Sequence, residues 1–208
     1  AASCVAITRA LSEYFSLGFS NEKINEISYE GERGYHGTPS GIDNTVATYG
    51  NLIWFERGTP NIVKQIKIQN PVEIVIGNSG IVTNTKMAIA GVKERKEKNP
   101  EEYISIFNDA KRLVYDARNA LEILDLRRVG SLMNENHRLL QKIKVSCREL
   151  DFLVNIAQEE GSLGAKMTGG GLGGSMIALT PGRDLQEKIA RSITKEGFEV
   201  LKTRIGVD

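Results

Sequence analysis

The stretch Gly31-Glu32-Arg33-Gly34-Tyr35-His36-Gly37-Thr38-Pro39-Ser40-Gly41-Ile42-Asp43-Asn44 gathers carboxylates, a guanidinium, an imidazole and hydroxyls among glycines that hold no core. It reads as a functional loop, with the rest of the chain as its scaffold. Upstream, Val5, Ala6, Ile7, Ala10, Leu11, Tyr14 and Phe15 recur at helical spacing, and Gly18 stands where such a helix stops. Ser20 with Glu22 supplies a cap and a first-turn acid for a second helix through Ile24 and Ile27, which places Glu32 at a helix end and residues 33–38 in the loop. Downstream, Pro39 and Ser40 precede a short helix closed by Gly50, with Asp43 in its first turn.

Farther along, Leu52–Phe55, Ile62–Ile68 and Val72–Ile76 read as strands, with Gly58-Thr59-Pro60 as a turn between the first two. Helical patterns follow over Thr83–Lys98, Pro100–Leu124, Leu126–Lys144 and Arg148–Glu160, broken at Asn99-Pro100 and Gly161. Ala165–Thr168 and Met176–Thr180 read as strands flanking a second glycine-rich stretch, and a helix over Asp184–Lys195 and a strand over Phe198–Ile205 complete the chain. This order predicts an α+β architecture of two subdomains, with the boundary near Asn70-Pro71.

Composition narrows the partners. Lys+Arg 27 against Asp+Glu 26 leaves a net charge of +1, so no broad positive field draws the chain to nucleic acid or an anionic membrane, and an anionic ligand must be held locally. Cys4 and Cys147 stand far apart with no paired Cys or His beside them, which indicates neither a disulfide framework nor a zinc site and makes a reducing cytoplasm the default. No apolar run approaches the roughly 20 residues of a membrane span. The run Lys93-Glu94-Arg95-Lys96-Glu97-Lys98 reads as a solvated helix face.

The second glycine-rich stretch is Lys166-Met167-Thr168-Gly169-Gly170-Gly171-Leu172-Gly173-Gly174-Ser175, with five glycines in the six residues 169–174. Such density lets backbone N–H groups converge on phosphate oxygens, and equally serves a tight strand connection. It is neither a Gly-x-x-x-x-Gly-Lys-Ser/Thr loop nor a dinucleotide fingerprint. Asp43, beside Asn44, is placed to take a proton from a substrate hydroxyl or to cap its helix. Glu32 could join the same site as a Mg²⁺ ligand, since that ion needs few carboxylates, or pair with Arg33 or Lys23 at the surface. His36 reads as a substrate contact or a loop hydrogen bond, and Thr85 as a helix cap or a site residue. His137, in a polar helix face with Asn134 and Asn136, reads as structural or solvent-exposed, and neither cysteine has a base that would make it a nucleophile.

At these residues the chain resembles a known family. Gly31-Glu32-Arg33 with His36-Gly37-Thr38-Pro39-Ser40-Gly41-Ile42-Asp43-Asn44 resembles the central motif of the mevalonate kinases, in the GHMP small-molecule kinase superfamily. Lys166–Ser175 is similar to the family's third, glycine-rich motif, and Asn84-Thr85-Lys86-Met87 with Ala90-Gly91-Val92 to the segment that begins its C-terminal helices. The resemblance implies ATP-dependent phosphorylation of the mevalonate 5-hydroxyl, with ATP, Mg²⁺ and mevalonate as partners, and leaves room for a homodimer. It implies Asp43 as the catalytic base, Glu32 as the Mg²⁺ ligand, His36, Thr85, Gly169 and Gly170 toward the substrate, and Gly171, Gly173 and Gly174 toward the nucleotide phosphates. Leu172 and Ser175 depart from the family's more usual glycine and cysteine. The implied fold is a two-domain GHMP kinase: residues 1–70 the remainder of an S5-like N-terminal domain, and 71–208 a ferredoxin-like C-terminal domain.

The chain opens inside a helical pattern with no cap before it, and Ala1–Ala6 resembles the helix just after the family's Gly-Leu-Gly-Ser-Ser phosphate loop. The expectation is therefore a C-terminal two-thirds of an enzyme, with little or no kinase activity by itself. A sister kinase acting on phosphomevalonate, homoserine or a sugar is the first rival, and a non-catalytic metabolite-binding member the second. The loop around His36 and Asp43 favours mevalonate.

Overall fold

A computed structural model describes residues 1–36, 39–68, 70–82 and 85–206, without the side chains of Tyr35 and His36. The chain divides into two compact units, Ala1–Lys67 and Ile68–Val207.

In the first unit, helix α1 (Ala2–Tyr14) buries Val5, Thr8 and Ser12, a stripe at helical spacing. The Ser12 hydroxyl accepts the Phe19 N–H at 3.0 Å, which ties down the turn leading into α2 (Asn21–His36). Helix α2 continues past the point where the sequence predicts its end. Ile24, Ser28 and Glu32, four residues apart, form its inward stripe at 3%, 0% and 7% exposure, so Glu32 lies within the helix and residues 33–36 are helical rather than loop. Gly31 and Gly34 do not break it. A β-carbon on Gly31 would stand 3.1 Å from Cys4 Sγ, so this glycine serves the approach of α1 rather than a turn.

Helix α3 (Ile42–Tyr49) starts after Gly41, whose φ of 85° belongs to the left-handed region open to glycine, and ends at Gly50. Its buried face is polar and self-satisfied: Thr45 donates to Gly41 O at 2.6 Å, and Thr48 to Asn44 O at 2.8 Å. Arg9 of α1 donates to Thr48 O at 3.0 Å near the negative end of α3. A two-stranded antiparallel hairpin, β1 (Leu52–Glu56) and β2 (Ile62–Ile66), pairs Leu52 with Ile66 and Glu56 with Ile62.

The second unit is built on a four-stranded antiparallel sheet of β3 (Val72–Asn78), β4 (Gly164–Met167), β5 (Ser175–Leu179) and β6 (Glu199–Ile205), in the order β4-β5-β3-β6. That order, with all neighbours antiparallel, is the ferredoxin-like one. Between β3 and β4 run four helices, α4 (Thr85–Lys98), α5 (Pro100–Glu122), α6 (Leu126–Lys142) and α7 (Arg148–Glu159); α8 (Arg183–Lys195) joins β5 to β6. Pro100 opens α5 at the position where a missing N–H costs nothing, and Asp125 caps α6 by accepting the Arg128 N–H at 3.0 Å.

Alternation along the strands builds two cores. Val75, Ala165, Met167, Met176 and Ala178 pack with Leu150, Leu153 and Val154 of α7 and Ile189 and Ile193 of α8. Val72, Ile74 and Leu179 pack instead with Ala120 of α5 and Val129 of α6. The charged run of α4 is solvated apart from Arg95, whose guanidinium donates to Ile143 O at 2.8 Å and Tyr103 Oη at 3.1 Å and so fastens α4 to the end of α6. Cys147 is the residue before α7, and burial pushes its thiol above the ordinary range. Among the described residues, no helix is long and apolar enough to cross a membrane.

Candidate functional site

Among the carboxylates of the first unit, Glu32 reaches the start of α1. Glu32 Oε1 lies 2.5 Å from the Ala1 nitrogen and 3.8 Å from Cys4 Sγ. Glu32 thus faces the first turn of α1, where backbone N–H groups favour negative charge. Glu32 does not take the expected surface partners, since Arg33 pairs with Glu30 and Lys23 with Glu26, each at 3.0 Å.

Asp43 is exposed in the first turn of α3, one residue before Asn44, which is buried at 2% exposure. The Asn44 amide donates to Asn25 Oδ1 at 2.6 Å and to Asn25 O at 3.3 Å, and Asn25 Nδ2 reaches Thr45 Oγ1 at 3.4 Å. This amide network locks the helix on which Asp43 rides and leaves the carboxylate open to solvent. The residue before the helix is Gly41, and the Ile42 N–H donates to Ser40 Oγ at 3.3 Å, so Asp43 is not engaged as the cap that the sequence also allowed. His36 closes α2, and its side chain lies outside the described residues, as do Thr38, Thr83 and Asn84. Sequence reading missed Asn25, a half-buried amide beside the inward stripe of α2.

In the second unit the glycine-rich loop runs from β4 to β5 and is clasped from two sides. The Leu172 N–H donates to Val145 O at 2.7 Å in the α6–α7 connection, and the Gly174 N–H to Ile81 O at 2.9 Å in the β3–α4 connection. Gly171 and Gly173 sit against those same carbonyls; a β-carbon on Gly171 would collide with Val145 O, and one on Gly173 would stand 2.7 Å from Ile81 O. Both glycines, at φ of 85° and 135°, are thus required by the loop's own packing, whatever the loop binds. Leu172, in the left-handed region at φ 56°, is partly exposed at 37%.

The apex is different in kind. Gly169 (φ 79°) and Gly170 are exposed, and among the described residues their N–H groups make no hydrogen bond. Thr85, the first residue of α4, rests on Gly170, where a β-carbon would stand 2.9 Å from Thr85 Oγ1. Just before the apex, Lys166 donates to Met167 O at 2.7 Å, and burial holds its ammonium below the ordinary lysine range. Beneath it, His137 is 4% exposed, accepts the Met167 N–H at Nδ1 (3.3 Å) and turns Nε2 toward Asp151 Oδ1 (3.1 Å), short of good hydrogen-bond alignment. His137 is thus structural and buried rather than solvent-exposed.

Chemically, the first unit offers an exposed carboxylate on a rigid helix and a second, buried one facing a helix N-terminus. The second unit offers unpaired amides on a glycine turn, suited to an anion's oxygens. Among the described residues, no three His, Cys, Asp or Glu side chains cluster to hold a metal ion by themselves.

Two family models match the chain: the GHMP kinases N terminal domain over residues 1–51, and GHMP kinases C terminal over residues 117–199. The chain is 34% identical to the mevalonate kinase of Thermococcus sibiricus and 36% identical to that of Pyrococcus horikoshii, each over 210 residues. Both matches take in 99% of the chain, which spans 61% of each relative's length. The crystal structure of L. major mevalonate kinase in complex with R-mevalonate superposes with a TM-score of 0.92 at 37% identity, over 98% of this chain and 64% of that one.

Proposed function

The chain belongs to the GHMP kinases, and on that premise we propose that the full-length gene product transfers a phosphoryl group from ATP to the 5-hydroxyl of mevalonate, giving 5-phosphomevalonate and ADP. The observation that supports this most is the 0.92 TM-score match, at 37% identity, to a mevalonate kinase whose structure holds R-mevalonate. We assign residues 1–70 to the remainder of the N-terminal GHMP domain and 71–208 to the C-terminal domain, and place the protein in the cytoplasm.

Phosphoryl transfer asks little covalent chemistry of a protein; it needs an aligned hydroxyl, a group to receive its proton, and cations and donors around the phosphates. Asp43 is our base. Its carboxylate is open to a ligand, while the buried Asn44–Asn25 contacts hold its helix still. Glu32 is our Mg²⁺ ligand: it offers one hard oxygen donor set, which suits an ion that fills the rest of its shell with phosphate oxygens and water. When bound, MgATP supplies the transferable group and neutralises charge as it moves.

The glycine loop fits an anionic ligand because, among the described residues, the apex amides of Gly169 and Gly170 are unspent while Leu172 and Gly174 anchor the turn. We assign Gly169, Gly170, Thr85 and His36 to the substrate side, and Gly171, Gly173 and Gly174 to the loop that shapes the phosphate side. A panel of mevalonate, phosphomevalonate, homoserine and galactose, each with MgATP and the full-length gene product, tests the proposal. ADP release with mevalonate at least tenfold faster than with any other acceptor is expected; preference for another acceptor would replace the reading with a sister kinase.

A further inference from the structure

Helix α6 does for the open edge of β4 what a neighbouring strand would do. Gly130, Asn134 and His137 form one helical stripe. Gly130 lies so close to Leu163 and Gly164 that neither glycine could carry a β-carbon. One turn on, Asn134 Oδ1 accepts the Ala165 N–H at 2.9 Å, and His137 Nδ1 accepts the Met167 N–H at 3.3 Å. Alternate donors of an edge strand, which would otherwise be left open, are thus taken up by helix side chains.

Beyond Met167 this support stops. Thr168 is still tied to Ser175 O at 2.9 Å, and the next two amides, Gly169 and Gly170, are unspent among the described residues. The bond at His137 is therefore the last one α6 makes before the chain opens into the glycine turn. Accepting at Nδ1 leaves the proton on Nε2, toward Asp151, which also takes the Ser146 hydroxyl at 2.5 Å. One hydrogen bond, at Nδ1, orients the ring, and Nε2 lies beside Asp151.

We infer that His137 is a positioning residue of the glycine turn: by accepting the Met167 N–H it fixes the direction in which β4 delivers the Gly169 and Gly170 amides to an anionic ligand. The inference rests on the reading of this loop as the anion-holding part of a kinase. The oxygens could belong to the nucleotide phosphates or to the carboxylate of the acceptor, and separate KM values distinguish the two.

The test compares His137→Leu, which removes the acceptor, with His137→Asn, whose amide oxygen can stand where Nδ1 stood, in the full-length gene product. Losing one buried acceptor should raise KM for ATP or for mevalonate about tenfold in His137→Leu, with kcat within about threefold and His137→Asn near wild type. His137→Gln, with its oxygen set one bond farther out, should match the leucine variant and replaces it if that variant fails to fold. Unchanged KM values in a folded His137→Leu or His137→Gln, or an asparagine variant no better than they are, would overturn the inference. If the wild-type protein phosphorylates no acceptor, the kinase reading alone falls, and amide hydrogen exchange decides. Faster exchange at Gly169 and Gly170 in His137→Leu or His137→Gln than in His137→Asn supports the positioning role, and equal exchange overturns it.

Discussion

Thr85 and Gly170 pack so tightly that a β-carbon on the glycine would stand 2.9 Å from Thr85 Oγ1 and 3.0 Å from Thr85 Cγ2. The start of α4 and the apex of the glycine loop are therefore fitted to each other. Gly170→Ala should destabilise the protein by about 1–3 kcal/mol through overpacking. In a Thr85→Ala background, where both clashing atoms are gone, the same change should cost much less. A double-mutant cycle by denaturant unfolding measures this coupling, and strict additivity would show that the two residues do not meet as described.

The approach of α6 to β4 makes a stronger demand. A β-carbon on Gly130 would overlap Leu163 O, and one on Gly164 would overlap Gly130 O; backbone on both sides cannot swing away as a side chain can. Either Gly130→Ala or Gly164→Ala should cost about 3 kcal/mol or more, at the upper end for overpacked sites, despite alanine's better helix propensity at position 130. Thermal unfolding checks it, and an unchanged Tm in either variant would contradict the close approach.

His137 should also leave a mark on stability against pH. Burial, the largest influence, holds its imidazole below the ordinary range; the nearby Asp151 pulls upward, and Lys166 adds to the lowering. The unfolded chain then binds a proton at about pH 6.5 while the folded one still resists it. Stability is full above that pH and is lost as the pH falls through the lower, folded value. His137→Asn removes this contribution, so its unfolding free energy should vary less between about pH 7 and pH 5 than that of the wild type. Equal slopes would mean that the imidazole is not held neutral.

Much of the architecture was legible in the sequence because its signals are local. Pro100 after Asn99 and Gly161 bracket helices of the second unit at or near their observed ends. The end of α2 was not legible. Gly31 and Gly34 look like loop residues, yet Gly31 makes room for Cys4, and the buried Ile24–Ser28–Glu32 stripe keeps the helix going. At the site, sequence could single out Asp43, Glu32 and the glycine loop by residue type. It could not tell that Gly171 and Gly173 answer to the carbonyls of Val145 and Ile81 while Gly169 and Gly170 have spare amides, because those partners lie far away in sequence. The pairing of Asn134 and His137 with alternate N–H groups of β4 was hidden for the same reason, although both stand on one helix face with Gly130.

The most direct measurement is the turnover of Asp43→Asn in the full-length gene product with saturating MgATP and mevalonate. Asp43 is exposed and does not cap its helix, so the variant should keep the wild-type Tm. Losing the group that receives the hydroxyl proton should lower kcat by about 10²–10⁴-fold. An Asp43→Asn protein with wild-type Tm and near wild-type kcat would contradict the assignment of Asp43 as the base on which the proposed phosphoryl transfer depends.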